Sequence, residues 1–167
     1  MNLFVLHEDP IIAAKYHCDK HVCKMIVETA QMLCTAHHIN GTTLDTDLLY
    51  RKTHTNHPSA IWCRQSKLNY YWAYDLLYAL CKEYTKRYNK VHATEQKLLT
   101  VLCVTPTHFE SIDFTPPPLC MPEEYWTAQC KNPTKWNTSV QSYRNYYYYD
   151  KRSFAKYTNS SVPSFMV

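Results

Sequence analysis

The chain has 167 residues, of which 46% are hydrophobic and 19% charged, a balance typical of one globular domain with a buried core. No apolar run is long enough to cross a bilayer, so we expect no membrane partner. The net charge of +4 favours an anionic partner, and a single glycine, Gly41, excludes glycine-rich phosphate loops and argues against a sheet-rich fold.

Apolar residues recur with helical spacing over most of the chain, and the stretch at 105–125 contains five prolines that exclude a regular element. Asp9 and Pro10 are suited to the N-cap and first turn of a helix, and Gly41 to a helix stop. In chain order we predict an apolar arm at Leu3–Leu6, helices over 10–36 and 58–88, a polar loop at 40–57 with a turn at 47–50, a shorter helix over 94–104, the irregular 105–125 segment, and a last helix from 137 or 138 to about 157. This is an all-α fold, one compact domain over residues 1–167 with three to four main helices and a long proline-rich loop.

The stretch HCDKHVCKM at residues 17–25 lies on the first predicted helix and is rich in histidine and cysteine. At 100° per residue, five polar side chains fall within roughly an 80° arc, apart from the apolar stripe; they are His17, His21, Lys24, Glu28 and Gln31. Three interpretations of this polar row are open: a metal site, a solvated surface, or a face that binds anions and transfers protons. A metal ion needs a third ligand that neither Cys18 nor Cys23 can supply from its place on the helix, so we predict no metal and no cofactor.

Two further stretches carry groups suited to nucleotide binding. Residues 53–72 place polar side chains around the start of the second predicted helix, where backbone N–H groups favour anions; the candidates are Asn56, His57, Arg64 and Asn69. Residues 142–157 interleave aromatic rings with cations, a pattern that can hold unstacked bases and phosphates; the candidates there are Tyr143, Arg144, Tyr147 and Lys151. The competing interpretation is structural, with the tyrosines packed in the core and His57 acting as a helix cap.

The run DKHVCKMIVE at 19–28 is similar to the first-helix signature of the pyrimidine-dimer DNA glycosylases of endonuclease V type. Asp19, His21 and Glu28 match that signature in register, while Lys20 and Val22 replace its Gln and Leu. MNLFVL resembles the family's N-terminal arm, TNHPSAIW a segment before its second helix, and YRNYY its aromatic, basic C-terminal end. The chain also looks like an uncharacterised phage family with such a start.

This resemblance implies an all-α endonuclease V-like fold that flips a nucleotide out of DNA. It further implies an α-amino nucleophile at the start of the chain, Glu28 as acid and base, and His21 as a contact to substrate, with Lys20 beside them. Two differences from the family stand out. Val27 and Gln31 occupy positions where the family has arginines, and Asn2 follows the initiator methionine where the family exposes a small residue.

Two hypotheses follow. The first is a phage-type enzyme that acts on nucleic acid or nucleotides, a DNA glycosylase and lyase. The alternative is a protein that binds a nucleotide without turnover and sequesters a host immune signal, which is an anti-defence role. Both imply DNA or a small nucleotide as partner and the cytoplasm of an infected host cell as location, and both leave the oligomeric state open, a homodimer included.

Overall fold

The computed structural model describes residues 1–167 and confirms the all-α fold. Its helices are α1 at Pro10–Tyr16, α2 at Asp19–Asn40, α3 at Pro58–Gln65, α4 at Lys67–Tyr88, α5 at Ala93–Leu98 and α6 at Trp136–Tyr146. Short 3₁₀ turns lie at Thr46–Leu48, Glu123–Tyr125, Arg152–Phe154 and Ser164–Met166. No helix combines the length and the apolar character needed to cross a membrane.

One continuous core holds the helices together, and α4 lies at its centre, packed against α1, α2 and α3. The apolar stripe of α2 is buried in this core, as its spacing predicts; it includes Val22, Met25, Ile26, Met32 and Leu33. The arm at Leu3–Leu6 is also fully enclosed, with side chains 0–6% exposed. Burial of this arm fixes the start of the chain against the helices.

The prediction of one continuous first helix is wrong, because the helix is interrupted at His17 and Cys18. His17 is extended, with ψ of 133°, and the break leaves main-chain carbonyls at the end of α1 without helical partners. The Arg87 guanidinium, from α4, donates to the carbonyls of Lys15 and His17 at 3.1 and 2.8 Å. A residue 70 positions away thus stabilises a break that local spacing does not reveal.

The second predicted helix is also divided, at Ser66, which has an extended backbone and separates α3 from α4. The proline-rich segment pairs with the chain at this point. Lys67 donates its N–H to the carbonyl of Ser111 at 3.0 Å, and Ser111 donates to Gln65 at 3.2 Å. Because these bonds replace helical ones, the break follows from the position of the loop.

The remaining boundaries differ at the helix ends. The helix predicted over 94–104 is α5, which ends at Leu98 and continues as turns. The last helix ends at Tyr146 and is followed by a π-helical turn over Tyr147–Lys151. Residues 105–125 are irregular apart from one isolated bridge and the 3₁₀ turn at Glu123–Tyr125, as their prolines predict. α2 runs on to Asn40, and Gly41 ends it with φ of +79°.

Candidate functional site

The start of the chain lies against the Glu28 side chain. The α-amino nitrogen of Met1 is 3.9 Å from Glu28 Oε2, and the backbone N–H of Asn2 donates to the same oxygen at 3.0 Å. The Met1 side chain is 1% exposed although the residue as a whole is half-buried, so its accessible surface lies on the main chain that carries the amine. Glu28 is 14% exposed. An amine and a carboxylate therefore meet at a partly open point of the surface.

Asn2 anchors this start through its side chain. Its Nδ2 donates to the carbonyl of Cys120 at 2.8 Å, and its Oδ1 accepts from the N–H of Leu3 at 2.8 Å. The hydroxyl of Tyr143 lies 3.2 Å from the same Oδ1 and donates to the carbonyl of Pro118 at 2.9 Å. These bonds hold the amine in place between α2, α6 and the proline-rich segment.

A cavity of about 580 Å³ lies between α3 and the proline-rich segment, and we call it the charged cavity. Its lining includes His57, Pro58, Cys120, Met121, Trp126 and Lys131. Cys120 links it to the amine through the bond from Asn2. Glu123 also lines it, so the lining carries side chains of both signs. The volume lies within the range of small-molecule sites.

His57 connects the charged cavity electrostatically to the amine. Partial burial lowers the pKa of His57, the α-amino group, His54 and Lys131 lower it further, and Glu28 raises it. Nδ1 of His57 accepts from the N–H of Ser59 at 3.2 Å and so caps α3. In the neutral ring the proton is therefore on Nε2, which is left as a donor.

Lysines supply the positive charge around this site. Lys24 is 62% exposed, and its Nζ lies 3.3 Å from Glu28 Oε1, one turn along α2. The Lys131 side chain is exposed and has no acidic partner within 4.0 Å. The site thus combines a carboxylate, an amine and two accessible cations, which is a set suited to proton transfer beside an anionic group.

The polar row predicted on the first helix does not form one solvent-facing surface. Only Lys24 and Glu28 lie at the amine, and Gln31 is half-buried without a side-chain hydrogen bond. His17 and His21 are 0% and 6% exposed, because Phe4 packs against both rings and Tyr147 hydrogen-bonds to His21. Burial lowers the pKa of His17 to about 4 and that of His21 to about 3. Both rings are therefore neutral at pH 7.

His21 belongs to an aromatic cluster that holds the arm. Its ring stacks on Phe4 with centroids 4.3 Å apart, and its Nδ1 lies 2.7 Å from the Tyr147 hydroxyl. That hydroxyl also accepts the N–H of Cys18 at 3.0 Å. We therefore assign His21 and Tyr147 to positioning of the arm. The sequence had suggested instead that both residues contact the substrate.

Lys20, from the first predicted helix, and the other residues predicted around the second helix are dispersed. Lys20 is exposed, with Nζ 4.7 Å from the Phe154 ring centre, and Asn56 is exposed. Arg64 is half-buried on α3, and its Nη1 has no partner within the protein. Asn69 is 0% exposed, and its Nδ2 donates to the carbonyl of Trp62 at 3.1 Å.

The C-terminal candidates are mostly internal. Tyr143 is 0% exposed and, as described, contacts Asn2. Arg144 donates to the carbonyl of Leu6 at 2.9 Å and lies over the rings of two aromatic residues. Lys151 pairs with Asp150 at 2.6 Å. These groups support the arm and the end of the chain, and only Tyr143 reaches the amine through a neighbour.

Sequence reasoning missed most of the cavity lining. Cys120, Trp126 and Lys131 lie about a hundred positions from Glu28 and belong to no recognisable motif. The only sequence feature that pointed to these residues was the cluster of prolines. It predicts an ordered irregular segment, but it does not indicate which helices that segment packs against. No group of three His, Cys, Asp or Glu side chains is arranged to hold a metal ion.

Comparison with protein-family models, with curated proteins and with solved structures gives no match to this chain.

Proposed function

We propose that the chain acts on nucleic acid as a DNA N-glycosylase with lyase activity, in which an α-amino group at the start of the chain is the nucleophile and Glu28 the acid and base. The observation that carries this proposal is the approach of the Met1 amine to Glu28, at 3.9 Å. An amine can form a Schiff base, and a carboxylate beside it can act as its general base. The resemblance of residues 19–28 to the pyrimidine-dimer glycosylases supports the same chemistry.

The reaction has three steps in this proposal. Glu28 accepts a proton from the ammonium, and the free lone pair of the amine forms a bond to C1′ of the sugar. The bond from C1′ to the base breaks, and its electron pair leaves with the base, which takes up the proton held by Glu28. The attacking nitrogen returns a proton to Glu28, the sugar ring opens as Glu28 protonates the ring oxygen, and an iminium remains between the amine and C1′.

The proposal allows for either state of the first residue. With Met1 present, its amine lies 3.9 Å from Glu28 Oε2. If the initiator methionine is removed, the nitrogen of Asn2 becomes the α-amine, and this atom lies 3.0 Å from the same oxygen. Asn2 is anchored on Cys120 through its side chain, and this bond does not involve Met1. Two successive nitrogens of the chain are thus within reach of one carboxylate.

The surroundings support a nucleotide as substrate. Lys131 and His57 offer positive charge and a hydrogen-bond donor to a phosphate in the charged cavity. Trp126 and Met121 line the same cavity and give it an apolar wall. A nucleotide must leave the DNA stack to reach this point, at a cost of a few kcal/mol. The phage origin and the cytoplasm of an infected cell belong to this proposal.

Trapping by borohydride tests the proposal. DNA with one abasic site, or UV-irradiated DNA, is incubated with the protein and sodium borohydride, which adds hydride to the iminium carbon and makes the link permanent. We expect a covalent adduct that maps to the first residue of the chain by peptide mass spectrometry. Glu28→Gln should reduce its rate by about 10²-fold or more, because the variant cannot transfer the protons.

Two controls make the result specific. Glu8→Gln changes an exposed carboxylate of the same kind and should trap at the wild-type rate. A tag placed before Met1 removes the α-amine from its position and should abolish the adduct, whereas a C-terminal tag should not. An adduct that maps to a lysine side chain, or the absence of any adduct, would refute the amine as nucleophile.

Nucleotide binding without turnover is the second candidate. It is favoured by the small volume of the charged cavity, which suits a small ligand better than a long duplex, and by Val27 and Gln31 in place of the family's arginines. Strong thermal stabilisation by a nucleotide with no product formed would support this binding role.

A further inference from the structure

A second cavity, of about 490 Å³, adjoins the charged cavity, and we call it the amide cavity. The two share Pro58, and neighbouring residues of one segment line both, with Lys131 in the first and Asn132 in the second. The lining of the amide cavity includes Pro58, Trp62, Gln65, Pro116, Asn132 and Pro133. The two cavities therefore form one groove between α3 and the proline-rich segment.

The two parts of the groove differ in chemistry. The charged cavity carries His57, Glu123 and Lys131. The amide cavity contains no charged side chain, and its polar groups include the carboxamides of Gln65 and Asn132. Both residues are exposed, and neither carboxamide makes a hydrogen bond within the protein. Each can therefore offer a donor pair and an acceptor to a ligand.

The wall of the amide cavity is held in shape from behind. Asn69 donates to Thr115 Oγ1 at 2.8 Å and accepts the N–H of Thr115 at 3.1 Å. The indole N–H of Trp62 donates to the carbonyl of Thr115 at 3.0 Å. Three prolines with fixed φ angles follow Thr115 directly. A wall tied in this way is preformed, and preformed sites lose less entropy on binding.

We propose that this groove binds a nucleotide in two parts, with the sugar phosphate in the charged cavity at Lys131 and His57, and the base in the amide cavity, where Gln65 and Asn132 recognise its polar edge. The inference rests on the nucleotide class of the proposed function and adds the residues that determine base specificity. Carboxamides complement the donors and acceptors of a base edge, and apolar prolines and Trp62 suit its faces. Within the groove, Lys131 can pair with a phosphate, and it lines the charged cavity and not the amide cavity.

Equilibrium binding separates the two parts. Dissociation constants are measured by calorimetry for the four 2′-deoxynucleoside 5′-monophosphates and for 2-deoxyribose 5-phosphate, which has no base. We expect the preferred nucleotide to bind at least about tenfold more tightly than the sugar phosphate, since two hydrogen bonds and an apolar contact are added. Gln65→Ala and Asn132→Ala should each remove most of this difference and leave binding of the sugar phosphate unchanged.

Lys131→Ala should weaken both ligands together, and more so at low salt. Gln96→Ala and Lys90→Ala change exposed residues of the same types away from the groove and should bind as the wild type does. Equal affinity of the wild type for nucleotide and sugar phosphate would overturn the inference. So would base-dependent binding that survives in both carboxamide variants.

Trapping on abasic DNA distinguishes this inference from the proposed function, because that substrate has no base. Gln65→Ala should trap abasic DNA at the wild-type rate. Wild-type trapping without base-dependent binding refutes the groove assignment alone. Base-dependent binding without any trapping refutes the glycosylase and supports the groove as the site of a nucleotide-binding protein.

Discussion

Replacement of Arg87 tests the internal ion network that holds the junction between α1 and α2. The guanidinium is 0% exposed and lies 3.1 Å from both Glu83 Oε2 and Asp19 Oδ1. It also donates to the carbonyls of Lys15 and His17. Arg87→Met keeps most of the volume of the side chain and removes all of these bonds.

The expected loss of stability follows from what remains buried. Glu83 is 7% exposed and would keep only Lys86, at 3.6 Å and half exposed, as a partner. Two carbonyls at the end of α1 would lose their donors. Removing one partner of a buried ion pair costs about 3–5 kcal/mol, because the other charge stays desolvated. We expect the free energy of unfolding to fall by about that amount.

Urea unfolding followed by far-UV circular dichroism measures this change. Arg51→Met, at an exposed position, is the matched control and should stay within about 0.5 kcal/mol of the wild type. Adding Glu83→Gln to Arg87→Met should restore part of the loss, since the orphaned charge disappears. A loss below about 1 kcal/mol for Arg87→Met, or a double variant with additive losses, would refute this account of the junction.

Three further predictions concern pH, backbone strain and the anchor of the amine. Burial lowers the pKa of His17 and His21 from 6.5 to about 4 and 3, so below pH 6.5 the unfolded chain binds more protons than the folded chain. The free energy of unfolding should therefore be retained above pH 6.5 and fall below it by about 1.4 kcal/mol per pH unit for each histidine. Urea titrations between pH 7 and 5 measure this change, and a flat profile would contradict it. Gly41→Ala should lower the free energy of unfolding by about 1–3 kcal/mol, because φ is +79° and the new Cβ would lie 2.5 Å from Thr107 Oγ1. A Gly41→Ala, Thr107→Ala double variant should regain the part of this loss that comes from the steric clash and keep the part that comes from the strained backbone. Asn2→Ala should slow borohydride trapping with only a small fall in the melting temperature, because it frees the amine from its anchor. Trapping at the wild-type rate would show that the anchor is not needed.

The sequence alone determined the helical class and the buried face of α2, because apolar spacing and the scarcity of glycine act locally. It also indicated Glu28 and the irregular course of the proline-rich segment. The helix breaks at His17 and Ser66 were not predictable from it. Their unpaired backbone groups are satisfied by residues distant in sequence, and helical periodicity continues through both points.

The candidate site was decided by tertiary structure. A helical wheel places His21 beside Glu28 on α2, but Phe4 of the arm packs on His21 and buries it, while Glu28 lies at the α-amine. Lys131 reaches the groove only because the proline-rich segment and the chain beyond it fold back over α3. Residue types and their spacing specify what chemistry is available. Which of those groups meet is set by long-range packing, and local sequence does not encode that packing.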